Sequence, residues 1–591
     1  MMNESDAQAN SDSGAAVTGE SFRAPVRVVT AASLFDGHDA AINIMRRLLQ
    51  TLGAEVIHLG HDRSVEEIVE AAVEEAADAV AISSYQGGHL EFFEFLVQSL
   101  AEAGVPHVRV YGGGGGTITP SEIERLHRAG VARIFSPDDG RVMGLEGMIA
   151  SIVDECLEAR AAQESDPVQG LPEIAAQLAK ASPRDVAQLI RFFEDHGETH
   201  KEDAAKLRAA IAAQARKPAP VIGFTGTGGA GKSSVVDELV MRLRRDAPEM
   251  RIGMLLVDPT RRRSGGALLG DRIRMNAIGG DAVFVRSMAT RQANRSLSAA
   301  VGDGLSVLRS AGFDLIFLET AGIGQSDSEI VDQVDLSLYV MTPDYGAPSQ
   351  LEKIDMIDFA DLVVLNKCDR HGAADSLRDI RKQWRRNHGM PQIADEAVPV
   401  FPTVARNWND TGTENLAKAL EVKLVELGLG AHFRSEPEVA AVLGMPESPS
   451  LVPGARQRYL AEIAESIRAY RGAVEESAEK AALADGHARV LGSMNQGPGN
   501  PLSALPAPNM SGADAGASAA STGAASPVAQ ALAAGYAEAV AGVDAQLAGQ
   551  IRDWPKTRAA YAAAEQSYAV RNRSIEVKNH VDSLAGTPIP K

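Results

Sequence analysis

The stretch VIGFTGTGGAGKSSVVDELVMRL occupies Val221 to Leu243. An apolar strand-like run, VIGFT, leads into GTGGAGKS (Gly226 to Ser233), and the helical run SVVDELVMRL follows. Strand, glycine-rich loop and helix in that order form the setting in which G-x-x-x-x-G-K-[ST] cradles phosphate. Gly228, Gly229, Ala230 and Gly231 let backbone N–H groups wrap the phosphates at a helix N-terminus. Lys232 reaches the β and γ oxygens, and the Ser233 hydroxyl, with Ser234 beside it, faces the Mg²⁺ position. A glycine turn that ends in Lys-Ser by accident is the competing reading, and the flanking strand and helix weigh against it.

Downstream, DLIFLETAG (Asp314 to Gly322) is an apolar strand that delivers Glu319 and Thr320 to the place where a phosphate-loop protein needs an acid near Mg²⁺. NKCD (Asn366, Lys367, Cys368, Asp369) ends the strand LVVLN. It resembles the guanine-specificity motif of G proteins, in which the carboxylate at the position of Asp369 accepts from the guanine ring N–H and exocyclic amine. PTVA (Pro402 to Ala405) offers a backbone donor to the guanine oxygen. Between these lies VDPTRRRSGGALLGDRIRM (Val257 to Met275). Asp258 and Asp271 are candidate Mg²⁺ partners there, with the Val257 backbone nearby, because Mg²⁺ prefers oxygen ligands and keeps waters. Each acid taken alone reads equally well as a solvated carboxylate. Arg274 is a candidate for neutralising nucleotide charge, and Arg261, Arg262 and Arg263 are either a solvated face or a partner contact. Lys232 and Glu319 are the candidate catalytic groups, Glu319 acting through Mg²⁺ rather than as a base. The glutamine that many G proteins use has only Gln325 as a nearby counterpart.

Upstream, VRVVTAAS, EVIHLG, AVAISS, HVRVYG and ARIF are strand-like runs separated by amphipathic stretches, which predicts a five-stranded parallel sheet. Three polar segments follow strands: LFDGHDAAINIMRRL, SSYQGG (Ser83 to Gly88) and YGGGGG (Tyr111 to Gly116). Open α/β sheets bind ligands at those carboxyl ends. A loop histidine alone is more often an ordinary surface residue, but the three segments together resemble the D-x-H-x-x-G, S-x-L, G-G signature of cobalamin-binding domains, whose fold is flavodoxin-like. The resemblance implies His38 as axial cobalt ligand and Asp36 as the carboxylate that fixes its tautomer. It also implies Ser83 holding the base of the nucleotide tail, with Tyr85 and the glycines Gly112 and Gly113 lining the tail's path. Ala41 stands at the motif glycine and Tyr85 at the leucine. A Rossmann-like sheet that binds another ligand is the alternative.

The chain has 591 residues, 45% hydrophobic and 23% charged, with net charge −20 and two cysteines. Such acidity argues against nucleic acid as partner, no apolar run is long enough for a membrane span, and Cys156 and Cys368 show no metal spacing. A cytoplasmic location is expected. The fold class is α/β: a tail over 1–23, the flavodoxin-like cobalamin-binding domain over 24–160, a helical connector over 161–218 and a P-loop GTPase domain over 219–430. Residues 431–591 read as helical, with a low-complexity tract at 492–527 and helix continuing to about Val570.

The order of these parts, with GGALLGDRIRM and ETAGIGQ, resembles the fused isobutyryl-CoA mutases. The resemblance implies adenosylcobalamin, GTP and Mg²⁺ as cofactors and a G domain serving as chaperone, with GTP hydrolysis gating cofactor loading and protection. The reaction implied is the interconversion of isobutyryl-CoA and n-butyryl-CoA. As partners it implies an acyl-CoA mutase TIM-barrel domain, a cobalamin adenosyltransferase and a homodimer. Too few residues follow Asp410 for a barrel of about 250 residues, and SLAGTPIPK reads as the opening of that domain. The barrel is therefore expected in a longer form or on another chain. The alternative is a stand-alone cobalamin-carrying G-protein chaperone. A nickel-loading G protein would want a His-rich or Cys-rich tract.

Overall fold

The computed structural model describes residues 24–163, 167–214, 219–269, 272–291, 297–322, 327–345, 351–352, 354–438, 458–494, 526–570, 573–582 and 587–590. Asp271, Gln325 and most of the low-complexity tract lie outside them. Two compact units divide at 449/450.

The first unit holds two parallel sheets. The strands β1 (Arg27–Ser33), β2 (Glu55–Arg63), β3 (Ala79–Ser83), β4 (Arg109–Gly113) and β5 (Arg133–Phe135) are the five expected upstream. Their spatial order, 5-4-3-1-2, places the carboxyl ends of β1, β3 and β4 side by side, and these are the strands that carry the polar segments. The mostly apolar strand interiors and the helices Val65–Glu74 and His89–Glu102 bury Val29, Ile57, Ile68, Phe93 and Leu96 in one core. Ser64 and Thr119 begin helices with capping boxes, which satisfy backbone donors that would otherwise be orphaned.

The second sheet comprises β6 (Val221–Gly226), β7 (Ile252–Asp258), β9 (Val283–Ala289), β10 (Leu315–Glu319), β11 (Leu336–Met341), β12 (Leu362–Leu365) and β13 (Val400–Pro402), in the order 13-12-11-6-10-7-9. The strand carrying the phosphate loop is central, between β10 and β11. β9 was not expected from sequence, because Arg286 interrupts its apolar pattern while lying fully buried.

The first sheet has six strands rather than five. The sixth, β8 (Ala267–Leu269), belongs to the segment between β7 and β9 and adds to the free edge of β2, pairing Ala267 with Glu55, Leu268 with Val56 and Leu269 with Ile57. Connector helices Leu171–Ala176, Pro183–His196 and Lys201–Ala212 join the core of the second sheet through Leu189, Ile190, Phe193 and Leu207. Pro172 and Pro183 stand at helix starts, where a missing N–H costs nothing.

In the second unit, helices span Tyr459–Ser493, Pro527–Ala541 and Ala545–Ala562. Helix was expected to continue to about Val570; instead β14 (Glu565–Val570) pairs antiparallel with β15 (Arg573–Lys578). The short strands β16 (His580–Asp582) and β17 (Pro588–Pro590) form another antiparallel pair. Among the described residues no helix is long and apolar enough to cross a membrane.

Candidate nucleotide and cobalamin sites

The phosphate loop turns between β6 and the helix Lys232–Asp246 through Gly229 (φ 76°) and Gly231 (φ 94°), backbone conformations that a side chain would strain. Gly231 is also constrained by space, since a Cβ there would meet Asn366 Nδ2. Lys232 is buried and its Nζ donates to the Gly226 carbonyl at 3.2 Å, beside Gly322, where a Cβ would collide with that ammonium. Ser233 Oγ donates to Glu319 Oε1 at 2.9 Å within the buried interior, bringing the two oxygen ligands proposed for Mg²⁺ together. Asp258 lies half-buried at the end of β7, and Val257 is buried within that strand, which leaves only its backbone for a ligand. The Thr320 hydroxyl donates to Thr225 Oγ1 at 3.1 Å, so its side chain is engaged at the strand end. Ser234 is half-buried in the first helical turn and Arg274 is exposed. The sequence reading passed over Thr227, whose buried Oγ1 in the loop has no protein partner and suits a phosphate oxygen. Together, the oxygen donors and the orphaned hydroxyl fit a Mg²⁺-nucleotide.

The NKCD segment is locked to the phosphate loop. Asn366 Nδ2 donates to the Ala230 carbonyl at 2.9 Å, and Lys367, at φ 62°, reaches the Gly229 carbonyl with Nζ at 2.5 Å. Asn366 Oδ1 accepts from the Ala405 N–H at 3.1 Å, so this backbone donor of PTVA is engaged within the protein. Cys368 is a packing residue: burial pushes its thiol up to about 12, and Sγ donates to the Leu365 carbonyl. Asp369 remains partly exposed with Arg406 at 2.7 Å, a neighbour that the motif alone did not signal.

On the first sheet, Asp36 is 1% exposed while the His38 side chain stands 76% exposed above it. Asp36 Oδ1 lies 2.8 Å from His38 Nδ1 and accepts the His38 N–H, while Oδ2 accepts the Tyr85 N–H at 2.5 Å. Burial would raise this carboxyl, but the Tyr85 and His38 donors outweigh it and hold the group below its ordinary value. The carboxylate holds the ring through Nδ1, and the exposed ring leaves its other nitrogen available to a ligand. Tyr85 stacks obliquely on the ring, with centroids 5.5 Å apart.

Ser83 is 2% exposed and its Oγ has no hydrogen-bond partner, as expected of a residue awaiting a ligand's polar group. Of the glycines, Gly112 packs against Phe93 and Ile134, Gly113 has ordinary room, and Gly114 approaches the Ser84 carbonyl so closely that no Cβ fits. Gly115 (φ 59°) turns beneath the Tyr85 ring. The orphaned Ser83 hydroxyl and the exposed His38 on its buried carboxylate fit a corrin ligand with a tail.

Fold and sites define the class: a P-loop G protein joined to a B12-binding sheet. Residues 186–426 match the family model "Methylmalonyl Co-A mutase-associated GTPase MeaB", and residues 26–146 match the B12 binding domain. A Pyrococcus horikoshii protein named as a GTPase is 40% identical over 249 residues, 41% of this chain and 76% of that relative. The chain belongs to the MeaB family of mutase-associated GTPases and carries a B12-binding domain ahead of it. It is also similar to the fused isobutyryl-CoA mutase of Geobacillus kaustophilus, 43% identical over 569 residues and 96% of this chain. That of Cupriavidus metallidurans is 44% identical over 579 residues and 98% of this chain. The chain spans 49% of the length of each of these two relatives.

Proposed function

We propose that this chain is the adenosylcobalamin-binding and GTP-hydrolysing portion of a fused radical acyl-CoA mutase that interconverts isobutyryl-CoA and n-butyryl-CoA. The observation that carries the reading is the pairing, within one compact unit, of an outward histidine on a buried carboxylate with a complete phosphate loop. Adenosylcobalamin bound there would supply cobalt–carbon homolysis and the radical. The chain's own residues then have separable tasks. Asp36 keeps the proton on His38 Nδ1, which leaves the Nε2 lone pair for cobalt. Ser83 offers a hydroxyl to the tail, and the glycine run from Gly112 to Gly115 lets the end of β4 pack close to Ser84 and Tyr85 beside it. In the other site, Gly228, Gly229, Ala230 and Gly231 present backbone donors to the phosphates. Lys232 exchanges the Gly226 carbonyl for a phosphate oxygen and offsets charge that develops on it. Ser233 and Glu319, with Asp258 and Asp271, would hold Mg²⁺, which would neutralise phosphate charge; Asn366, Lys367 and Asp369 would read the guanine, and Arg274 would add positive charge.

GTP hydrolysis in this reading gates cofactor loading and protection. A TIM-barrel mutase domain binds the acyl-CoA, a cobalamin adenosyltransferase supplies the cofactor, the assembly is a homodimer, and its location is the cytoplasm. The test is a titration of the purified chain with adenosylcobalamin, followed by absorption, for wild type and His38→Ala. A histidine-ligated spectrum that the variant loses is expected. Identical spectra for the two proteins would remove the cobalamin assignment, and cofactor transfer in the absence of any mutase would favour a separate chaperone.

A further inference from the structure

The segment between β7 and β9 runs from the nucleotide site to the edge of the cobalamin-binding sheet, and its geometry assigns a task to residues that neither site uses directly. It leaves the nucleotide site at Asp258. Thr260 then bridges Ala267 antiparallel, and β8 continues onto the edge of β2 in the cobalamin-binding sheet. The Asp258 end is tied at three points to the turn after β9. Thr290 N–H donates to the Asp258 carbonyl at 3.0 Å, Thr260 N–H donates to Thr290 Oγ1 at 3.2 Å, and Arg291 N–H donates to Thr260 Oγ1 at 2.8 Å. Arg291, held at φ 50°, extends its guanidinium to Glu55 at 2.7 Å and Asp195 at 2.8 Å. Glu55 is the first residue of β2 and the partner of Ala267 in the ladder. Beyond β8, Arg272 is buried against Glu74 at 2.6 Å, and Ile273 lies where a Cβ on Gly60 of β2 would strike it.

We propose that the cobalamin-binding domain holds the Asp258 end of the Mg²⁺-nucleotide site in place, with Thr260 and Arg291 as positioning residues for GTP hydrolysis and Glu55 as their anchor in the other domain. The inference rests on the GTPase reading above. Asp258 ends β7 opposite Ala289 of β9, its backbone carbonyl accepts the Thr290 N–H, and Thr260, two residues on, is held by the same 290–291 turn, which a carboxylate of the first sheet pins in its turn. The second sheet thus fixes the strand end itself, and the Glu55 carboxylate of the first sheet fixes the turn against which that end closes. Positioning residues contribute by holding a ligand in geometry and not by touching substrate.

The experiment follows release of GDP carrying a fluorescent ribose label from the full chain, over a range of Mg²⁺ concentrations and in EDTA. Thr260→Ala, Arg291→Met and Glu55→Gln are compared with wild type, with Arg291→Lys as the conservative variant. Affinity in EDTA, which depends on the phosphate loop and NKCD, is expected to match wild type. The Mg²⁺ concentration that half-maximally slows release is expected to rise about 2- to 10-fold, as for loss of one hydrogen-bonded link. Arg291→Lys should recover part of the shift. The same midpoint shift from Glu55→Gln, made in the other domain, is the outcome specific to the proposal. If the buried-charge variants lose their circular-dichroism signal, Thr260→Ala, half-buried and uncharged, decides alone. Unchanged Mg²⁺ midpoints in folded variants would overturn the proposal while leaving the GTPase reading intact. A wild type that binds no labelled GDP, or binds it no better than Lys232→Ala, would instead remove the GTPase reading itself.

Discussion

Single residues show which motif positions owe their identity to chemistry and which to space. Lys232, Ser233, Glu319 and Asn366 were legible from motif spacing, and the structure brings all four around one loop. Thr227 and Arg406 escaped notice because a lone threonine and a lone arginine carry no pattern until the chain brings them near the loop and Asp369. Gly114 is held by contact with the Ser84 carbonyl, so Gly114→Ala should cost about 1–3 kcal/mol by overpacking and weaken adenosylcobalamin binding. Thermal unfolding with and without cofactor checks both effects, and an unchanged midpoint would refute the close approach. His58, beside Thr30 on the same sheet, is buried; burial first, and then Arg46, hold its pKa down to about 4. Because the folded value lies below the unfolded one, its contribution is present above pH 6.5 and is lost as pH falls through about 4. The loss amounts to about 2 kcal/mol after screening is allowed for. Denaturant midpoints measured from pH 7 to 4 should fall less steeply in His58→Gln than in wild type.

At the scale of elements, apolar runs bounded by turns were legible as strands because parallel strands covered on both faces are continuous hydrophobic text. β9 was hidden by Arg286, whose charge is acceptable there only because Glu194 and the Glu74 carbonyl meet it. β8 was hidden for a different reason. Ala267, Leu268 and Leu269 are too short a run to signal a strand, and their partner edge lies more than 200 residues earlier in the chain. The structure predicts that amides of Ala267–Leu269 exchange with solvent as slowly as the edge of β2 rather than as a surface loop. Hydrogen exchange read by mass spectrometry tests this, and loop-like exchange within seconds would contradict the pairing. The strand at Glu565–Val570 in place of helix shows the limit of composition: local propensity is weak, and pairing with Arg573–Lys578 decides.

Across the whole first unit, the two sheets share a buried set of charges. Six carboxylates (Glu55, Glu74, Glu75, Asp78, Glu194 and Asp195) meet six guanidinium groups (Arg27, Arg160, Arg191, Arg272, Arg286 and Arg291). They come from the first sheet, the connector and the second sheet. Burial would raise Glu55, but Arg291 and Arg27 hold it down to about 2, and Arg272, buried 2.6 Å from Glu74, works against the burial of that carboxyl in the same way. Removing one partner of a buried pair costs about 3–5 kcal/mol. Residues 24–160 expressed alone should therefore be poorly folded, since Arg291, Arg272 and Glu194 would be missing from beside Glu55, Glu74 and Arg27. Co-expression with residues 161–438 should restore a folded complex, and equal melting temperatures for the isolated piece and the intact chain would refute the shared core. The sequence by itself determined two parallel α/β sheets, the phosphate loop, the NKCD segment beside it and the histidine–carboxylate pair, because each is written in contiguous residues whose spacing follows from local geometry. Only the tertiary structure decided that β8 crosses to the other sheet, that acidic and basic residues pair between domains, and that Glu55 meets Arg291 at the turn after β9. Those contacts join residues far apart in the chain, and charge or apolarity alone does not say which distant partner will bury it.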